Sequence, residues 1–493
     1  SLTPNQRHGV QVMRQRLFTI RWIVLALAAT CIEAHAAQKV QRDLFADLQP
    51  LTHELPRYRY FIEAMPELSD PDKLVAQQLL ASSEDELGLY SEAVRDFPLR
   101  SRPPEKLALP EAASWQAADA LDTITALARD RRIVLVNEAH HDAHTRELTL
   151  ALLPRLRTLG FTYFAAEALD ERDISLMKRG YPVRSSGSEY LHEPLYGDIV
   201  RQAIKLGYVV VPYDSAGRTT QDREDGQARN LYERVLTKDP KAKLFIHAGY
   251  AHIDKERGRL GPVKPMAMQL RELSGITPLS IDQTDVREEN PESETDIYYQ
   301  FKHDLRKYES LLPRVQPRLD GAGPGDTPQK PTVDAYDRII STFHPEHAIV
   351  LVQTSDHTPW SARPGLYDLN VILPPANSVP SSYSQGPLQL SIDGENHAVL
   401  PPANKGHRPD WLTLGGKRVP VPVDTEFCAG KFPCLVEARY AGESDDAVTA
   451  DRYLFLQKDA RNTLYLRPGE YRLRTVDANN VTLNEHVIQA AIR

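Results

Sequence analysis

Two short strings in the middle of the chain concentrate side chains that can move protons or hold ions. The first, residues 137–147, reads NEAHHDAHTRE, and the second, residues 247–252, reads HAGYAH. Burying the charged groups of the first string without partners would cost on the order of several kcal/mol, so they must pair, bind a metal or face a wet cleft. In the second string, small residues allow a tight turn, so that His247 and His252 can face one point.

Side chains of these types suit hydrolysis by an activated water. A neutral imidazole, with an ordinary pKa of about 6.5, can remove a proton from water, and a nearby carboxylate orients the ring. His140 and His141 are the candidate bases, and Glu138 or Glu167 is the candidate orienting group. His144, one helical turn further on, is expected to face solvent or the mouth of the pocket.

Two further roles are open to the charged and imidazole residues: stabilising an oxyanion and binding a metal ion. Positive groups can stabilise an oxyanion, and the candidates for this role are Arg146, Arg223 and His252. If a divalent metal is bound, its expected ligands are His140, His141, Glu167, His247 and His252. The chain contains neither a G-x-S-x-G elbow nor an H-E-x-x-H helix, which disfavours a serine nucleophile.

A parallel sheet is the element expected to position these side chains. Five short apolar runs stop at a charged or imidazole side chain, namely Glu138, Glu167, Asp214, His247 and Asp282. Helical periodicity separates the runs, at Ala143–Leu159, Ser188–Leu206, Arg223–Thr237 and Val263–Leu273. This alternation predicts an α/β fold with a mostly parallel sheet and flanking helices. The five residues should then line the carboxyl edge of the sheet, where such folds bind ligands.

The order of these pieces resembles that of the erythromycin-esterase-like superfamily, which includes the haem-uptake ChaN-like proteins and the TIKI-type metalloproteases. The resemblance covers roughly Ile133–Asp285. Its members have a strand ending in G-E-x-H or G-E-x-x-H, a second strand ending in Glu, a basic–acidic helix start and a late strand before a small-residue loop with His. The counterparts here are Glu138 with His140 or His141, Glu167, Arg223-Glu224 with Arg229-Asn230, and the HAGYAH loop.

Two departures from the family pattern leave the chemistry open. Asn137 stands where Gly is usual, and the doubled histidine fits either register of the motif. The esterase members imply metal-free hydrolysis, the TIKI-like members a divalent ion, and the ChaN-like members haem or iron. The leading hypothesis is therefore a hydrolase of esters or amides. The alternative is a haem- or iron-binding protein without turnover, in which Tyr250 and His247 act as ligands.

The rest of the chain predicts an exported protein of several domains. Met13–Arg16, the apolar run Leu17–Ala29 and a small-x-small site ending at Ala36 predict a signal peptide at 13–37, without a transmembrane helix in the mature chain, and hence a periplasmic or secreted protein. We expect a helical segment at 38–110 packed on the next domain, the α/β domain at 111–313, a linker at 314–335 and a β-sandwich-like domain at 336–493. Cys428 and Cys434 are expected to form a disulfide.

The composition and the charge of the chain limit the kinds of partner that it can be expected to bind. The chain has 493 residues, of which 41% are hydrophobic and 26% charged, with a formal net charge of -8. Since the charges are spread along the sequence, there is no basic footprint for a nucleic acid. The expected partner is a small-molecule or peptide substrate. The C-terminal β region is a candidate binder of an envelope partner.

Overall fold

A computed structural model describes residues 42–101, 104, 107–290, 334–376 and 387–491. The predicted signal peptide and nearly all of the predicted linker lie outside these residues. The described part contains a six-stranded parallel sheet with flanking helices, preceded by helices and followed by antiparallel strands. The predicted fold class is therefore confirmed.

The N-terminal segment is helical. Its described residues form the α-helices α1 (Leu44–Leu48), α2 (Glu54–Ala64), α3 (Asp70–Glu86) and α4 (Tyr90–Asp96). The turn between α3 and α4 needs Gly88, because its φ is +77° and a Cβ there would collide with the carbonyl of Arg452. Leu55 and Leu87 share a core with Phe455 of the C-terminal strands. We expected this segment to pack on the next domain, and Asp85 and Phe97 contact Arg146 and His141 there. The segment also packs against the end of the chain.

The central sheet follows strand β1 (Trp115–Asp119) and helix α5 (Ala120–Ala128). Its strands are β2 (Ile133–Glu138), β3 (Tyr163–Ala166), β4 (Val209–Pro212), β5 (Leu244–Gly249), β6 (Leu279–Asp282) and β8 (Leu369–Asn370). They lie in the order β4-β3-β5-β2-β6-β8, and every neighbouring pair is parallel. Strand β7 (Ile349–Gln353) pairs instead with β1, antiparallel.

Helices cover both faces of the sheet. They are α6 (His144–Thr158), α7 (Leu176–Arg179), α8 (Pro194–Lys205), α9 (Thr220–Leu231), α10 (Met266–Ser274) and α11 (Ala335–Phe343). Val134 and Val136 of β2 pack in the core that holds α6 and α8, whereas Ile133 and Leu135 pack in the core that holds α9 and α10. The continuous apolar run of β2 is thus explained by burial on both sides.

The strand order creates a crevice at one edge. Strands β2 and β5 are neighbours, but the helix after β2 lies on one face of the sheet and the helix after β5 lies on the other. Adjacent strands whose connections leave on opposite faces open a crevice at their carboxyl ends. Residues 137–147 begin near the carboxyl end of β2, and residues 247–252 begin near the carboxyl end of β5. Both segments therefore lie at that crevice.

The C-terminal region is antiparallel. Strands β12 (Cys434–Tyr440), β13 (Asp451–Phe455), β15 (Gly469–Val476) and β16 (Thr482–Ala490) form a sheet in the order β13-β12-β15-β16. Two further antiparallel pairs are β9 (Leu388–Ile392) with β10 (Glu395–Val399), and β11 (Val419–Asp424) with β14 (Arg461–Leu466). The predicted β-sandwich-like domain at 336–493 includes the run YDLNVIL, residues 367–373. The structure instead gives its residues Leu369–Asn370 to the parallel sheet as β8, beside β6. In the residues that the structure describes, no helix is long and apolar enough to cross a membrane.

A short disulfide loop closes near the start of β12. Cys428 and Cys434 are bonded, with Cα atoms 5.8 Å apart, and both are buried in the core of the C-terminal strands. Replacing both cysteines with alanine should lower the free energy of unfolding by about 2–3 kcal/mol, because the unfolded chain regains the entropy of a small loop. Urea denaturation of the oxidised protein and the double variant measures this difference. Two free thiols in exported protein, found by mass spectrometry, would contradict the pairing.

Candidate active site

All five strand-end residues named in the sequence lie at the carboxyl edge of the one parallel sheet, as predicted. Glu138 and His247 come from the neighbouring strands β2 and β5, and Glu167 directly follows β3 on the other side of β5. Their side chains make direct contacts or share partners, as described below. Asp214 and Asp282 lie further out along the same edge.

Glu138 is the centre of the cluster and is buried. Its Oε1 accepts hydrogen bonds from His140 Nδ1 at 2.8 Å and Arg146 Nη2 at 3.1 Å. Its Oε2 accepts from Arg146 Nε at 2.6 Å and His247 Nε2 at 2.8 Å. Burial opposes the charge on Glu138, but Arg146 and the two imidazoles outweigh burial and hold its pKa well below the ordinary value. Four donors thus occupy the four acceptor positions of an ionised carboxylate.

Arg146 connects this carboxylate to two others. Its side chain is fully buried in the first turn of α6. Besides Glu138, its Nη1 donates to Asp85 Oδ2 of α3 at 2.7 Å and to Glu193 Oε2 at 3.1 Å. Burial alone would lower the pKa of Arg146, but the three carboxylates raise it well above its ordinary value. The sequence suggested an oxyanion contact for Arg146, but its N–H donors are already taken up by Glu138, Asp85, Glu193 and the His140 carbonyl.

His140 keeps one ring nitrogen available. Its Nδ1 donates to Glu138, and 18% of the side chain is exposed. The ring stacks on Tyr190, with centroids 3.9 Å apart, and meets the edge of Tyr250. Within the described residues, Nε2 has no hydrogen-bond partner and faces the backbone of Gly249, where an added Cβ would lie only 2.5 Å away. A carboxylate and an aromatic ring therefore fix the imidazole while its basic nitrogen faces the crevice.

His141 is placed differently and has no free nitrogen. Its Nε2 lies 3.1 Å from Arg287 Nη1 and therefore accepts, which leaves Nδ1 to donate to the hydroxyl of Tyr250 at 3.2 Å. The ring is buried and stacks on Phe97. Burial and the Arg287 charge hold the pKa of His141 well below its ordinary value. The two adjacent histidines, which the sequence did not distinguish, thus have different surroundings.

Glu167 forms a second charged group beside His140. Its Oε2 accepts from the Gly249 N–H at 2.5 Å, and its Oε1 accepts from Arg223 Nη2 at 2.7 Å. His252 Nε2 lies 3.2 Å from the same Oε1. Burial opposes ionisation, but His252, His140 and Arg223 lower the pKa of Glu167 well below its ordinary value. Three donors leave one acceptor position of this carboxylate on Oε2, next to Gly249.

Arg223 and His252 supply positive charge at the crevice. Arg223 also binds Asp214, and 37% of its side chain remains exposed. His252 lies between two carboxylates, because its Nδ1 is 2.7 Å from Glu224 Oε1. Burial would lower the pKa of His252, but Glu167 and Glu224 raise it to about 10. At neutral pH, His252 is therefore a cation.

The protonation of His252 should appear in the pH dependence of stability. Its pKa is about 10 in the folded chain and about 6.5 when unfolded. The stabilisation is therefore fully present below pH 6.5 and is lost as the pH rises towards 10, with a slope of up to about 1.4 kcal/mol per pH unit. Urea unfolding between pH 6 and 10 should show this decline in the wild type and a flatter curve for His252→Gln. His347→Gln, at an exposed histidine, is the control. Parallel curves for the wild type and His252→Gln would contradict the assignment.

A third polar group shapes the loop that carries Tyr250. Asn137 Nδ2 donates to the Tyr250 carbonyl at 2.8 Å and to Asp282 Oδ1 at 2.7 Å. Tyr250 has a φ of +40°, a costly conformation for a non-glycine residue that these bonds help to maintain. Asp282 also binds Arg259 and belongs to this supporting network, not to the group around His140. Asn137, which stands where the pattern that the sequence resembles has Gly, therefore helps to position this loop.

His144 does not face solvent, contrary to expectation. The side chain is buried, and its ring stacks on Trp411 with centroids 4.9 Å apart. Trp411 belongs to a segment far along the chain, so no local pattern in the sequence indicates that it covers His144. His144 is therefore a packing residue, and replacing it should cost stability.

The side chains present do not fit the metal or haem sites that the family resemblance implied. In the part of the chain that the structure describes, no group of three or more His, Cys, Asp or Glu residues is arranged to hold a metal. Glu138 has no acceptor position left, and Glu167 keeps only one, on Oε2, because Arg223, His252 and the Gly249 N–H take the other three. His247 is fully buried between Glu138 and the Thr149 hydroxyl, which lies 2.8 Å from its Nδ1. The Tyr250 hydroxyl is bound to His141, so neither proposed haem ligand is free.

Sequence reasoning missed several residues that build the site. Four of them lie outside residues 137–147 and 247–252: Asp85 in a helix, Glu193 at a helix cap, Tyr190 in a short turn and Arg287 in a loop. Only Glu193 carried a local signal: it precedes Pro194 and caps α8 through the N–H groups of the next turn. Arg229, a predicted counterpart of the family motif, is exposed, whereas Asn230 binds the carbonyls of Tyr213 and Asp214.

Comparisons with known proteins give only distant likenesses. No family model and no curated protein matches the chain. Among solved structures, the type III effector HopBA1 is 14% identical over 37% of this chain and 86% of its own, with a TM-score of 0.25. RRSP, a MARTX toxin effector domain from Vibrio vulnificus CMCP6, is 19% identical over 34% of this chain, with a TM-score of 0.25. The match spans 36% of that Vibrio chain.

Proposed function

We propose that this protein is a hydrolase that cleaves an ester or amide with a water activated by His140. One observation carries the proposal: His140 is held by Glu138 through Nδ1, while its Nε2 faces the crevice at the carboxyl edge of the sheet. This is the arrangement that a general base requires, because the carboxylate fixes the tautomer and stabilises the imidazolium that forms.

The other ionisable groups of the cluster are poorly suited to be the base. Glu138 and Glu167 have pKa values far below neutrality, so they attract a proton weakly. His252 is already protonated, with a pKa of about 10. Both nitrogens of His141 are engaged. By elimination, His140 is the group that can accept a proton from water.

In the proposed reaction, the attacking water lies between His140 and Glu167. Nε2 of His140 and Oε2 of Glu167 both border Gly249, since an added Cβ there would lie 2.5 Å from the first and 3.2 Å from the second. The water donates one hydrogen to each of these atoms. As its oxygen forms a bond to the carbonyl carbon, the proton moves to Nε2 and the carbonyl π electrons move to the carbonyl oxygen.

The cations at the crevice stabilise the charge that this step creates. Arg223 contacts Glu167 and remains partly exposed, so its guanidinium is available to a substrate oxygen. The imidazolium of His252 adds positive charge beside it. When the intermediate collapses, the carbon–oxygen or carbon–nitrogen bond breaks. The leaving group then takes the proton from Nε2, which restores the neutral imidazole.

The resemblance of the sequence to the esterase-like proteins is consistent with metal-free hydrolysis. Among the types of protein that the sequence resembles, metal-free hydrolysis is expected of the esterase-like members, and no group of side chains in the described residues is arranged to hold a metal. We also propose that the protein belongs to that superfamily and that it is exported to the periplasm or secreted. The features that predict export lie in residues 13–37.

A panel of chromogenic esters and peptide amides tests the function. The wild type should turn over at least one of them, and added divalent ions or a chelator should leave the rate unchanged. Haemin titration, followed by visible absorption, should show no stoichiometric complex. A parent protein that turns over nothing while binding haemin stoichiometrically would replace the hydrolase by a haem-binding function.

Gly249 provides a finer test of the geometry. Its backbone is compatible with alanine, but a Cβ would reach the His140 ring and the space assigned to the water. Gly249→Ala should lower kcat/KM by about 10²-fold, as small misplacements of catalytic groups do. The control is Gly442→Ala, because a Cβ at Gly442 meets no atom within 4 Å. Equal kcat/KM values for the two variants would place the reaction away from Gly249.

A further inference from the structure

The ring that stacks on His140 belongs to a short 3₁₀ turn, Glu189–His192. Tyr190 covers one face of the imidazole, and the planes of the two rings are 9° from parallel. Leu191, the next residue, is fully buried in the core that holds α6 and α8. The turn is therefore packed against the α/β core through Leu191, while Tyr190 lies at the crevice.

Helix α2 contacts this turn through two charged pairs. His192 Nδ1 lies 2.7 Å from Glu54 Oε1, and Arg57 Nη1 lies 2.6 Å from Glu189 Oε1. In both elements the two paired residues are three positions apart, which places them on one face. The pairs are also crossed, because the acidic residue of each element meets a basic residue of the other. The pairing therefore favours a single position of the turn along α2.

Strand β13 makes a third connection to the turn. Arg452 is buried, and its Nη2 donates to the His192 carbonyl at 2.9 Å. Its Nη1 donates to Glu54 Oε2 at 3.2 Å, so one guanidinium joins α2 to the turn. Burial opposes the charge on Glu54, but Arg452 and Arg184 hold its pKa well below the ordinary value. The turn is thus held by both the N-terminal helices and the C-terminal strands.

We propose that the Glu189–His192 turn is a positioning element for the base, and that α2 and β13 hold it so that Tyr190 fixes the imidazole of His140. This inference rests on the proposed function, because the positioned group is the proposed base. The face of a tyrosine ring carries partial negative charge, so Tyr190 also favours the imidazolium that forms when His140 takes the proton. The N-terminal helices and the C-terminal strands thus act on the reaction through Tyr190.

Substitution of Tyr190 tests the stacking contact. In protein labelled with ¹³C at Cε1 of histidine, the His140 signal is the one that disappears in His140→Ala, and the stacked tyrosine ring shifts it upfield. Tyr190→Leu should remove that shift and lower kcat by about 10–10²-fold, as small misplacements of a catalytic group do. Tyr190→Phe should retain the shift and a higher kcat than Tyr190→Leu. An unchanged His140 signal in Tyr190→Leu would overturn the proposal.

A double variant tests the connection between α2 and the turn. His192→Ala combined with Glu189→Gln removes both charged pairs, and the fold should survive because Glu54 keeps two arginine partners. The His140 signal should move towards its position in Tyr190→Leu. The value of kcat should fall by about tenfold while KM stays the same, because the base is misplaced and the substrate contacts are kept.

Glu63→Gln is the matched control, because it removes an ion pair with Arg59 within α2 itself. It should leave both the His140 signal and kcat at the wild-type values. A double variant that matches Glu63→Gln in both measurements would overturn the proposal. The signal is read without substrate, so the positioning of His140 is decided separately from turnover. If the signal responds as expected in a protein that cleaves no ester or amide, the positioning stands and the hydrolase proposal fails.

Discussion

Replacing His140 with alanine is expected to lower kcat/KM by about 10²–10⁴-fold, the usual loss when a general base is removed. The fold should survive, because the ring is partly exposed and its loss leaves only one of the four donors to Glu138 missing. The rate is measured on whichever ester or amide the wild type turns over, and circular dichroism checks the fold. His347→Ala, at an exposed histidine on another segment, is the matched control.

His141→Ala should give the opposite pattern and so separates the two neighbours. The ring of His141 packs on Phe97 and accepts a hydrogen bond from Arg287, so its removal leaves a cavity and takes the acceptor away from Arg287 Nη1, although Arg287 keeps its ion pair with Glu289. We expect a lower free energy of unfolding together with a smaller effect on the rate of the protein that remains folded. If both histidine variants match the wild type on every substrate, His140 is not the base and the hydrolase proposal fails.

Arg146→Met should cause the largest loss of stability, about 3–5 kcal/mol. The methionine fills much of the same volume, but it leaves the carboxylates of Glu138, Asp85 and Glu193 buried together without their shared cation. Urea denaturation at neutral pH measures the loss.

Arg155→Met is the matched control for Arg146, since it lies on the same helix. Its ion pair with Asp122 is solvent-exposed, with side-chain exposures of 40% and 72%, so the change should cost less than about 1 kcal/mol. Comparable losses in the two variants would mean that the buried network contributes no more than a surface pair.

The central sheet was predictable because its signal is local. Each strand is an apolar run that ends in a polar residue, and burial on both faces makes such runs continuous, as in β2. Residues that follow parallel strands must reach the same edge, so the meeting of Glu138, Glu167 and His247 followed from the pattern alone. The two-residue strand β8 is too short to show a periodic pattern. The sequence grouped it with the C-terminal strands, but it pairs with β6 of the parallel sheet.

The detailed roles within the site were not predictable because the deciding partners are distant. Arg146 meets Asp85 across 61 positions of sequence, and Arg287 meets His141 across 146. Either histidine of the doubled pair fitted the motif. They differ in their contacts, and three of the deciding partners, Tyr190, Phe97 and Arg287, come from three separate segments of the chain.

The position of β8 bears on how the chain is synthesised. Strand β6 ends at Asp282, but the strand that pairs with its outer side, β8, begins only at Leu369. Until the ribosome has released that later segment, the outer side of β6 is an open edge with unpaired backbone groups, a surface that other chains can join. A protein cut between these two strands would keep every residue of the proposed reaction centre, yet it would be prone to aggregate through that edge. Expression of the α/β region for study should therefore extend past Ile372.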